Sequence, residues 1–180
     1  RDIALITSTL GLEELQRPVI EALLQDYTVG FSTGLEALKE KMKAGSLEAT
    51  KSGGNNGEAI FAKVMAPINA WKAEKRSMLE KFMADVKSQL SAQQLERWPS
   101  FERALHRERK LPAGDISGES VDLWAVMSRM QLTPAETDAV KPAVAAYEVA
   151  LDEALMARDA KMLQLEPELA ETMRAMNAER

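Results

Sequence analysis

From Phe61 onward, apolar side chains fall at Val64, Ile68, Trp71, Met78, Leu79, Phe82, Val86 and Leu90, mostly three or four residues apart. That spacing gathers them on one stripe of an α-helix, which needs a second surface to cover it. A similar stripe runs from Val140 through Val144, Tyr147, Leu151, Leu155, Met162 and Leu165. Nowhere does apolar and polar alternation persist with the β-branched and aromatic enrichment of strands. The pattern predicts an all-α fold, an elongated helical bundle.

The pattern also repeats. Laid over residues 121–162, residues 1–42 match at Asp2, Ser8, Leu12, Tyr27, Val29, Leu35, Ala37, Lys41 and Met42 without a gap. Unrelated helices would share about two or three identities over such a span. Core-type positions pair conservatively: Ile3 with Leu123, Ile6 with Val126, Leu10 with Met130, Ile20 with Val140, Leu24 with Val144 and Phe31 with Leu151. Each copy reads as a short helix, a turn and a long helix.

Two interruptions complete the layout. Ser52-Gly53-Gly54-Asn55-Asn56-Gly57 combines backbone freedom with no apolar anchor and predicts a mobile loop; it lacks the lysine and the strand-to-helix setting of a phosphate loop. Leu111-Pro112-Ala113-Gly114-Asp115 predicts a turn, with a helix start near Ser117 or Ser120 and with Glu119 and Asp122 near the positive end of its dipole. The expectation is one domain over residues 1–180. It comprises a repeat arm at 1–44, a flexible loop at 45–57, a central helical hairpin at 58–110, a turn at 111–117, a second arm at 118–166 and a tail at 167–180.

Helix starts carry their own signatures. In Leu132-Thr133-Pro134-Ala135-Glu136, Thr133 can cap, Pro134 can take the first helical position and Glu136 can close a capping box. Leu90-Ser91-Ala92-Gln93-Gln94 repeats the device, with Leu90 and Leu95 placed for a hydrophobic staple. The corresponding Leu12-Glu13-Glu14-Leu15-Gln16 keeps the leucine and glutamine without the hydroxyl, so its helix start is expected to be less sharply fixed.

Composition changes this picture by exclusion. A net charge of −5, with both signs interspersed, gathers no polyanion, so nucleic acid is not an expected partner. The chain has no cysteine, which removes disulfides, thiolate metal sites and cysteine nucleophiles. No apolar run reaches the roughly 18–20 residues of a membrane span. Beginning at Arg1, the chain reads as one processed from a longer precursor.

Little chemistry is on offer. His106 is the single histidine and sits among Arg103, Arg107, Arg109 and Lys110, which repel a cation, so no metal or cofactor is expected. Glu119 and Asp122 have no base or nucleophile beside them and read as helix-capping groups. An enzyme is not expected. The aromatic residues, Trp71, Trp98 and Trp124 among them, read as core, while ten methionines suit either an irregular core or an adaptable surface.

The candidates are therefore partner-binding residues. Gly30 and Gly34, four apart and opposite Ala150 and Ala154 of the second copy, form a notch where another backbone can approach, beside Tyr27 and Phe31. Arg103, Arg107 and Lys110 share a helix face suited to an acidic surface, such as that carrying Glu166, Glu168 and Glu171, or a partner subunit.

The leucine, hydroxyl residue and glutamine of residues 90–94, and residues 132–136 with glutamate as the last of them, resemble the LTxxQ motif of the periplasmic Spy/CpxP-like family. The resemblance implies an all-helical dimer with a concave surface, an extracytoplasmic location and ATP-independent chaperone or envelope-stress activity. The expected function is a non-enzymatic helical protein that binds a client or itself; the alternative is a structural or assembly subunit packing into a homo-oligomer.

Overall fold

A computed structural model describes residues 2–51, 57–111, 121–127 and 129–178. Among these residues the chain is an all-α helical bundle with no strand, as the periodicity predicts. The helices are α1 (Asp2–Leu10), α2 (Gln16–Lys51), α3 (Gly57–Ser88), α4 (Ala92–Leu95), α5 (Trp98–Lys110), α6 (Leu123–Met127) and α7 (Pro134–Ala178). The glycine- and asparagine-rich stretch at 52–56 lies outside the described residues. So does the turn at 112–120, with Ser117, Glu119 and Ser120.

The repeat is visible in this order. α1 and α2 reappear, 120 residues on, as α6 and α7. Their short helices end differently for a local reason. Gly11 takes a φ of +68° and donates its N–H to the Thr7 carbonyl, a left-handed cap that glycine adopts without strain. Gln131 stands in its place in the second copy, and α6 stops at Met127, followed by tight turns in which Arg129 and Met130 bond back to Val126 and Met127.

The chain divides into two compact units. One combines Arg1–Gly11 with Glu96–Leu165, the other Leu12–Leu95 with Glu166–Arg180. In the first, α1 lies against α5. Ile6 and Leu10 are buried on α1, and Trp98, Phe101, Ala104 and Leu105 on α5. Burial of each of the leucine, isoleucine and phenylalanine side chains contributes about 1.5–3 kcal/mol before chain entropy is subtracted.

In the second unit, α2 and α3 pair along their length. The hairpin expected within residues 58–110 is therefore replaced by one between α2 and α3, because the α3 stripe finds its complement on α2 while the stripe of α5 is covered by α1. The α2 helix also continues through residues 45–51, which the loop was expected to occupy. Gly45 lies there against the Lys63 carbonyl, to which a methyl group would come within 3.5 Å, and Lys63 Nζ bonds Glu48 at 3.1 Å. That carbonyl is the one freed by Pro67, whose ring nitrogen has no proton to give it. Lys72 of α3 pairs with Glu166 in the terminal segment of the same unit.

Candidate partner-binding surfaces

The α2–α3 interface accounts for four of the predicted binding residues. Tyr27 stacks on Phe82 with ring centroids 5.1 Å apart, and Phe31 meets the edge of Trp71 at 5.3 Å. The glycine notch is filled by α3. A β-carbon on Gly34 would overlap the Trp71 ring, and one on Gly30 would meet the Met78 sulfur at 3.5 Å. Tyr27, Gly30, Phe31 and Gly34 are thus engaged within their own unit; the close backbone approach that the glycines imply is real, and α3 is what approaches. A depression of about 240 Å³ beside them is lined by Leu23, Met78 and Phe82, with Asp26, Lys81 and Asp85 at its polar edge. Lys81 bonds Asp85 at 2.6 Å, and that bond, with the charges of Asp85 and Asp26, raises its ammonium pKa above the usual value.

The start of α2 is firmly held, against the expectation of a loose one. Gln16 accepts the Glu13 N–H at 3.0 Å, as the last residue of a capping box does. At residues 91–94 the box is complete: Ser91 N–H donates to Gln94 Oε1 at 2.9 Å, and Gln94 N–H to the Ser91 hydroxyl at 3.3 Å. The two glutamines then bond each other, and Gln16 Nε2 also donates to the Gln89 carbonyl at 2.7 Å. Of the leucines expected to staple this start, Leu90 is half-buried and Leu95 37% exposed. In the second copy Thr133 and Glu136 form their box as predicted. The Thr133 backbone N–H and hydroxyl both donate to Glu136, holding its carboxyl below the usual carboxylate value.

The basic face of α5 is turned to α7 of the same unit. Arg107, buried at 8% exposure, donates to Glu148 at 2.9 Å, lies 3.5 Å from Asp122 and stacks over the Trp124 ring at 5.3 Å. His106 Nδ1 is 2.7 Å from Asp152, and Lys110 is 2.7 Å from Asp159. Arg158 of α7 in turn donates to the Lys110 carbonyl, satisfying an end of α5. The expected acidic complement, Glu166, Glu168 and Glu171, is thereby replaced by Glu148, Asp152 and Asp159, about two to six turns earlier on the helix. Arg103 is half-buried, with its Nε lacking a hydrogen-bond partner among the described residues.

What the sequence did not single out is the surface around α6. Asp122 caps this helix through bonds from the Trp124 and Ala125 N–H groups, as its position predicts. Between α6 and the first turns of α7 lies a groove of about 640 Å³, lined by Trp124, Met127, Met130, Leu132, Val140 and Val144, with Asp138 and Lys141 at the rim. Trp71 and Trp98 are core, but Trp124 is 41% exposed and Met130 54%. The sequence signal was present as a core-type pattern; its lack of cover was not.

Among the described residues no group of acidic or histidine side chains is placed to hold a metal ion. No helix among them is long and apolar enough to cross a membrane. Compared with models of protein families, with curated proteins and with solved structures, the chain matches none.

Proposed function

We propose that the protein is a non-enzymatic helical binding protein that holds a partner or client protein through an apolar surface, in the manner of an ATP-independent chaperone. The observation that carries this reading is the groove beside α6, whose walls are an exposed tryptophan, two methionines and branched aliphatic side chains. Unbranched thioethers change rotamer at little cost and so adapt to partners of differing shape. An apolar surface of this kind left open to water is a feature of interaction sites.

The resemblance to the LTxxQ motif supports the same reading and adds an extracytoplasmic location. Residues 12–16 join that resemblance, since Gln16 closes its helix start as Gln94 does and the two are bonded partners. A holdase assay tests the function: the chain suppresses aggregation of a thermally unfolding client at stoichiometric excess, and loss of all suppression refutes the proposal.

A second reading, a structural subunit packing into a homo-oligomer, has one observation in its favour. Val149, Met156 and Leu163 recur every seventh residue along α7 at 44%, 43% and 52% exposure, the spacing of a helix–helix seam. A sedimentation experiment showing a monomer at all concentrations removes it.

A further inference from the structure

The two copies of the repeated unit carry the same apolar stripe on their short helix, and the stripes meet opposite fates. On α1, Ile6 and Leu10 are 2% and 0% exposed, because α1 lies against α5. Their counterparts on and after α6, Val126 and Met130, are 41% and 54% exposed, and Leu123, opposite half-buried Ile3, is 47% exposed. Around the α6 axis Val126, Leu123, Met127 and Trp124 follow one another on a single arc, at about 100° per residue. Met127 and Trp124, at one end of that arc, line the groove together with Met130, Leu132, Val140 and Val144, with Arg107 over the Trp124 ring; Leu123 and Val126 lie beside it.

We propose that this face of α6 and the adjoining turns of α7 are a docking site for one amphipathic α-helix of a partner protein, carrying the kind of apolar stripe that α5 carries. The inference rests on the binding reading above and names the occupant. The fold itself supplies the argument, because the equivalent stripe on α1 is covered by such a helix. On α5 an aromatic residue, Phe101, is followed three and four residues on by a small residue and a leucine, Ala104 and Leu105, and all three are buried.

A second copy of this chain is a poor occupant, since its α5 has its own stripe buried against its own α1. The volume of about 640 Å³ accommodates side chains of this size, and Asp138 and Lys141 at the rim present both charges to the polar edge of an incoming helix.

The test is a titration of the full chain with a fluorescent peptide of the sequence of residues 97–111, followed by anisotropy. A control peptide carries serine at the Phe101 and Leu105 positions. Chain variants Val126→Asp and Met130→Asp place a charge on the exposed stripe, and circular dichroism checks that they retain their helices. The expected result is saturable binding of the first peptide. The serine peptide and either aspartate variant are expected to weaken it about tenfold or more.

Binding undiminished in Met130→Asp would place the peptide elsewhere, for instance in exchange at α1, and overturns the proposal. So does absence of binding, or a dimer that Met130→Asp converts to monomer in sedimentation. If the chain suppresses client aggregation while the peptide fails to bind, helix docking falls and the binding function stands; if neither activity is present, both fall.

Discussion

The side-chain amides of Gln16 and Gln94 bond each other head to tail across 78 residues of sequence, Gln16 Nε2 to Gln94 Oε1 at 2.9 Å and Gln94 Nε2 to Gln16 Oε1 at 2.8 Å. Each oxygen also accepts a backbone N–H, from Glu13 or Ser91, so two helix starts are closed and tied together by one amide pair. Gln94 is 6% exposed, which makes an unanswered partner costly. Gln94→Ala is expected to destabilise its unit by about 1–3 kcal/mol in urea unfolding. Adding Gln16→Ala should cost less than the sum of the two single changes, and strict additivity in the double-mutant cycle would show the pair to be unimportant.

Gly30 and Gly34 look alike in the sequence and should respond oppositely to alanine. At Gly34 the new methyl group meets the buried Trp71 ring, which cannot move without opening the α2–α3 contact. A loss of about 1–3 kcal/mol is expected there. At Gly30 the nearest atom is the Met78 sulfur at ordinary contact distance, so the gain in helix propensity prevails, about 0.5–1 kcal/mol of added stability. Thermal unfolding of the two variants checks the sign of each.

Arg107 joins α5 to α6 and α7 through Glu148, Asp122 and the face of Trp124. Removing the buried cation leaves those carboxylates facing each other without compensation. Arg107→Ala is expected to cost about 2–4 kcal/mol. Arg107→Lys should recover only part of it, since an ammonium lacks the planar fork that serves two acceptors and a ring together. Equal stability of the lysine variant and the parent, by denaturant unfolding, would show the contacts to be interchangeable.

The Thr133–Glu136 box makes the start of α7 sensitive to acid. The carboxyl pKa is lowered below its ordinary 4.5 in the folded chain, so its stabilising effect is present above that value and is lost as pH falls through the lowered one. Carbon-13 NMR titration of the Glu136 carboxyl is expected to show the depressed midpoint. Thr133→Ala should return it toward 4.5, because both donated hydrogen bonds come from Thr133 and one of them is its hydroxyl. An unmoved midpoint in that variant would leave the Thr133 backbone N–H as the cause and give the hydroxyl no part in the shift.

Sequence patterns located these features unevenly. Gln94 was legible as the closing residue of a helix start, because a capping box is complete within four residues, whereas the same role of Gln16 was hidden by the missing hydroxyl at residue 13. Their mutual bond was not legible, since nothing in either pentapeptide specifies a partner so far along the chain. The glycine notch showed that a close approach occurs, and the fold showed that α3 makes it. The α5 cations were legible as a paired face, but the helix register that selects Glu148, Asp152 and Asp159 comes from packing.

The amino-acid sequence by itself determined the helical class, the duplicated helix pair and the capping boxes at residues 91–94 and 133–136, because periodicity and capping are properties of a few consecutive residues and their backbone. Only the tertiary structure decided which apolar stripes are covered. Ile6 and Leu10 are buried while Val126 and Met130, their equivalents in the repeat, are open to water. The stripes are the same in kind; the apolar face of α5 covers that of α1, while α5 meets α6 through Arg107 at Asp122 and the Trp124 ring, and burial depends on that meeting of distant segments.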